Sequence, residues 1–62
     1  MLRKFNTEYH KGVAIRVVEK ILAGRKWIVG SLVIKGRPYE LKGYNKANVV
    51  TKAKQVIDKI LG

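Results

Sequence analysis

The sequence predicts an α+β domain in which a three-stranded antiparallel sheet packs on one C-terminal helix, in the order β-β-β-α. Three observations carry that expectation. The chain from Asn48 onward has a helical apolar stripe, two X-Gly dipeptides separate runs rich in Val and Ile, and pairing those runs through the dipeptides sorts the side chains into two chemically different faces.

Taken in order, residues 1–10 read as an N-terminal arm, mobile or a short strand, and residues 11–62 as a single small domain. Gly12–Leu22 admits two readings. Ala14, Val17, Val18, Ile21 and Leu22 suit a helical stripe ended by Gly24, whereas Val13, Ile15 and Val17 alternate as in a strand, so α-β-β-α stands as the alternative architecture. Read as a strand and turned at Ala23-Gly24, the segment places Val18 opposite Val29, Ile15 opposite Leu32 and Val13 opposite Ile34.

Trp27–Ile34 is rich in β-formers, and Arg37–Tyr44 carries Pro38 near its start, where a strand tolerates it. A tight turn at Lys35-Gly36 sets Ile34 against Arg37, Leu32 against Tyr39, Gly30 against Leu41 and Trp27 against Tyr44. The helix follows from Val49, Ala53, Val56, Ile57 and Ile60 on one stripe, with Lys52, Lys54, Gln55 and Lys59 pointing away. Asn48 or Asn45 can cap its start, and Lys59 complements the dipole in the last turn.

Composition narrows the function. A chain of 62 residues holds one compact domain, and with 47% apolar residues it has the means to fold. Cysteine is absent, so there are no disulfides, thiolate zinc sites or thiol nucleophiles. Val13–Val18 and Trp27–Ile34 are too short to span a bilayer, and Met1–Lys4 is not followed by the apolar region of a secretory signal, so a soluble cytoplasmic protein is expected. Enzymatic chemistry finds no footing: His10 is the only histidine, Glu8, Glu19, Glu40 and Asp58 are scattered, Ser31 has no base and orienting partner, and there is no glycine loop between a strand and a helix start. Neither a metal nor another cofactor is expected.

Fourteen Lys and Arg against four Asp and Glu give a formal charge of +10. Such self-repulsion opposes folding, and a polyanionic partner relieves it by counterion release. The strand register gathers part of this charge. One face is apolar, with Val13, Ile15, Val17, Ile21, Ile28, Leu32, Ile34, Tyr39 and Leu41, and with Gly30 and Gly43 leaving room for the helix. The other carries Arg16, Lys20, Arg25, Trp27, Ser31, Glu40, Lys42 and Tyr44 among Ala14, Val18, Val29 and Val33. Basic and aromatic side chains on an open sheet suit phosphate contact with stacking or groove insertion. The expected nucleic-acid-binding residues are Arg16, Lys20, Arg25, Lys26, Trp27, Lys42 and Tyr44. The partner expected is nucleic acid, DNA ahead of RNA, with no membrane and with a homodimer possible. Two other readings are weighed against it: the face is covered by the arm or a second subunit, or it docks on an acidic protein surface as a small adaptor or inhibitor.

Lys11-Gly12-Val13 followed by Ile15-Arg16, Lys26-Trp27, Leu41-Lys42-Gly43-Tyr44 and the helix ending near Ile57-Asp58 give residues 11–58 an order of elements that resembles the three-stranded-sheet-plus-helix DNA-binding domains. These include the AP2/ERF family and the amino-terminal arm-binding domains of phage-type integrases. The resemblance implies a DNA-binding module from a phage or mobile element, with Arg16 projecting from the first strand into the major groove. Ala14 stands where the family usually has another arginine, and the third-strand tryptophan is missing, with Tyr39 and Tyr44 the nearest aromatics.

Overall fold

Three dipeptides of one kind fold the chain. In the computed structural model, which describes residues 3–62, Lys11-Gly12, Ala23-Gly24 and Lys35-Gly36 each hold both residues at positive φ, with values of 51° and 78°, 52° and 75°, and 51° and 77°. This is the two-residue hairpin turn whose twist matches that of the strands it joins. The turns link β2 (Glu8–His10), β3 (Val13–Leu22), β4 (Arg25–Ile34) and β5 (Arg37–Gly43) into an antiparallel meander, closing the pairs His10↔Val13, Leu22↔Arg25 and Ile34↔Arg37.

The sheet therefore has four strands, not the three expected. Its first strand comes in two pieces, β1 (Arg3–Lys4) and β2, both antiparallel to β3. Lys4 pairs with Val18 and Glu8 with Ile15, so Phe5, Asn6 and Thr7 oppose Arg16 and Val17. One residue too many makes a bulge, bridged by the Phe5 N–H donating to the Val17 carbonyl at 3.0 Å. The segment lacks an apolar alternation of its own; the Lys11-Gly12 turn returns it to β3.

Gly12–Leu22 is a strand from Val13 onward, which sets aside the α-β-β-α alternative. Both expected registers hold: Val18 faces Val29, and Ile34, Leu32 and Gly30 face Arg37, Tyr39 and Leu41. The helix α1 (Lys46–Leu61) begins two residues before Asn48 because Asn45 is the cap: its backbone is extended and its Oδ1 accepts from the Asn48 N–H at 2.8 Å. At the other end the Gly62 N–H, with φ at 88°, donates to the Asp58 carbonyl at 2.9 Å.

The core lies between helix and sheet. Ile15, Val17, Ile28, Leu32 and Ile34 from the strands meet Val49, Ala53 and Ile57 from α1, all buried, with Val56 and Ile60 half-buried beside them. Gly30 and Gly43 are where the helix comes closest: a β-carbon at either would collide with the Val49 side chain, and at Gly43 with Asn48 as well. Ile21 departs from the expected core, since it lies on the helix side by register yet is 58% exposed. The cause is length. Ten-residue strands reach about 33 Å, the 16-residue helix about 24 Å, and the β3–β4 hairpin outruns it in a molecule 36 Å long and 20 by 18 Å across.

The β5 edge is blunted. Because Ile34 and Arg37 close a two-residue turn, hydrogen-bonded pairs alternate from there, and the backbone groups of Pro38, Glu40 and Lys42 point away from β4. Pro38 has no N–H to offer, and the Lys42 carbonyl accepts from Lys52 Nζ at 3.0 Å.

Candidate nucleic-acid interface

Strand alternation and register assemble the outer face in rows. Lys20, Trp27 and Tyr44 form one, with Lys20 paired to Trp27 and Tyr44 just past the end of β5. Lys4, Val18, Val29 and Lys42 form the next, then Arg16, Ser31 and Glu40. Beyond these the same register brings Tyr9 beside Ala14, and Val33 beside Pro38. Arg25 lies past Trp27 at the hairpin end, its guanidinium 5.2 Å from the centre of the Trp27 ring. Six of the seven expected contact residues thus share one face: Arg16, Lys20, Arg25, Trp27, Lys42 and Tyr44.

Lys26 is the exception. It alternates with Arg25 and Trp27, so it faces the helix side of the sheet, where its Nζ lies 3.9 Å from Glu19 Oε2. Lys4 and Tyr9 belong to the outer face and were absent from the expected set. The third X-Gly dipeptide, Lys11-Gly12, was the signal that could have placed them.

The aromatic pair is fixed in a particular way. Trp27 and Tyr44 have ring centres 6.4 Å apart and planes inclined by 29°, and Tyr44 is 81% exposed while Trp27 is half-buried. Val29 is buried at the middle of the face, between Val18 and Lys42. Among the described residues the N-terminal segment does not cover this face, for β1 touches β3 alone, and β2 touches β3 and α1. It widens the sheet instead.

The carboxylates are distributed unevenly between the two sides. Three of the four carboxylates are engaged on the helix side. Glu8 accepts from Lys46 Nζ at 2.9 Å, and that bond, with the attraction of the same ammonium, holds the Glu8 carboxyl below its ordinary value. Asp58 Oδ1 accepts from His10 Nε2 at 2.8 Å and lies 3.0 Å from Lys11 Nζ; the hydrogen bond from His10 and then that from Lys11 lower its carboxyl. Glu19 has Lys26. Only Glu40 is left on the outer face, against Lys4, Arg16, Lys20, Arg25 and Lys42.

Between Arg16 and Glu40 the face dips into a shallow depression floored by Ala14, Val33 and Pro38, with Ser31 at its side. No group of three or more His, Cys, Asp or Glu side chains able to hold a metal ion occurs among the described residues, and no helix there is long and apolar enough to cross a membrane. No family model, curated protein or solved structure matches this chain.

Proposed function

We propose that this is a nucleic-acid-binding protein that lays the outer face of its sheet on duplex DNA. The observation that carries the reading is the company the cations keep: Lys4, Arg16, Lys20, Arg25 and Lys42 share an open face with two aromatic rings and a single carboxylate, Glu40, whereas Lys11, Lys26 and Lys46 on the helix side are engaged by acids. Lys4, Lys20 and Lys42 would contact phosphates, and Arg16, central and exposed, would reach base edges. The resemblance of residues 11–58 in sequence to three-stranded sheet-plus-helix DNA-binding domains is in keeping with that use of the sheet, to which this chain adds a fourth strand beside β3. Neither catalysis nor a cofactor enters the proposal.

The test is a salt titration of duplex affinity. Each phosphate contact contributes about one unit to the slope of log affinity against log salt. Replacing Lys42 and Arg16 together by Ala should weaken binding and flatten that slope by roughly one to two units. An unchanged affinity and slope in the double variant would remove the sheet face from consideration.

One observation favours a second reading. Tyr9 and Val33 are exposed at 70% and 61%, next to Ala14 and Pro38, and an apolar end of this kind suits contact with a protein. A basic adaptor or inhibitor docking on an acidic protein surface would keep its partner after nuclease treatment, and free DNA would fail to compete.

A further inference from the structure

We infer that Tyr44, backed by Trp27, is a stacking platform for an unpaired nucleobase, so that the preferred ligand is DNA with a single-stranded end or gap beside the duplex. This rests on the outer face being a nucleic-acid contact surface and adds what that surface selects.

Four observations converge on it. The Tyr44 ring is 81% exposed but not loose: its centre lies 6.4 Å from that of Trp27, which is itself half-buried with the Arg25 guanidinium over its ring. The backbone is held on both sides, since Gly43 is buried under Val49 and Asn45 is the helix cap. The platform therefore has little freedom left to lose on binding. Lys20 and Lys42 flank it, and the nearest carboxylate of this face, Glu40, is four strand positions away, about 13 Å. A flat aromatic surface rimmed by cations is complementary to a base with its phosphates.

The position matters as much as the chemistry. The aromatic row lies at one end of the cation field formed by Lys4, Lys42 and Arg16, past the last residue of β5. In a continuous duplex the base faces are covered by their neighbours, leaving a ring at this place only groove edges to touch. An unstacked base offers the whole face.

Three DNAs of one duplex sequence separate the outcomes: blunt, with a short thymidine overhang, and with an abasic overhang of the same phosphate number. Trp27 is the sole tryptophan, so its fluorescence reports from the platform. The thymidine overhang should bind roughly 5- to 150-fold tighter than the abasic one, from the stacking of one base, and should quench Trp27. Tyr44→Ala should abolish that difference, its loss on the thymidine overhang exceeding any loss on the blunt and abasic DNAs, and Tyr44→Phe should retain it. Equal affinity for thymidine and abasic overhangs, or a Tyr44→Ala loss of the same size on all three DNAs, overturns the inference. The parent reading is tested separately by Arg16→Ala with Lys42→Ala on the blunt duplex, and absence of binding to any of the three DNAs overturns both.

Discussion

At Gly30 a β-carbon would meet Val49 Cγ1 in the most crowded part of the core, and nothing flexible is there to move aside. Gly30→Ala should therefore cost about 1–3 kcal/mol, the usual size of overpacking, read as a lower urea midpoint with the same slope. Ala23 presents the opposite case. It holds φ at 52° at the first position of an exposed turn, a conformation that costs a non-glycine residue about 1 kcal/mol and that Asn adopts more readily. Ala23→Asn should recover part of that, several tenths of a kcal/mol or more, as a raised midpoint. The close approach at Gly30 was readable from the sequence, because a glycine within a Val- and Ile-rich strand asks what comes near it. That Lys11 and Lys35 accept positive φ as Ala23 does was not, since only the glycine of each dipeptide announces the turn.

The strands and the helix are joined by ion pairs at the β2 end of the core. Glu8 ties β2 to the first turn of α1 through Lys46, and Asp58 ties the last turn to His10 and Lys11. Both carboxyls are held below their ordinary values of 4.5 and 3.8, so their contribution is complete above those values and is lost as pH falls through the lowered ones. Stability should therefore decline on acidification below about pH 5, as the carboxyls leave their ordinary range and approach the lowered values. The decline should be shallower in Glu8→Gln with Asp58→Asn. Hydrogen exchange should find β2 loosening before β4, and equal acid sensitivity in parent and double variant would contradict this account of the ties. The sequence made β4, β5 and α1 legible through apolar period and turn residues. It left β1 and β2 obscure because their pairing comes from a turn and from charges distant in sequence, Glu8 with Lys46 and His10 with Asp58.

On the scale of the whole molecule, a net charge of +10 becomes two surfaces of different character. Three of the four acids lie on the helix side, where they serve the fold, and the outer sheet sets its cations around Trp27 and Tyr44 with Glu40 as the one acid of that face. The sequence already implied this division, since six of its seven expected contact residues fall on the outer face. Lys26, a neighbour of Trp27 along the chain, is sent by alternation to the other side. The most direct test is an amide NMR titration of the labelled protein with a short duplex, following backbone resonances and the Trp27 indole. The account predicts the largest shifts at Arg16, Lys20, Trp27, Val29 and Lys42, with Lys54 and Lys59 on the exposed side of α1 little changed. Shifts concentrated on Lys54, Lys59 and their helix neighbours, with the outer sheet silent, would contradict it.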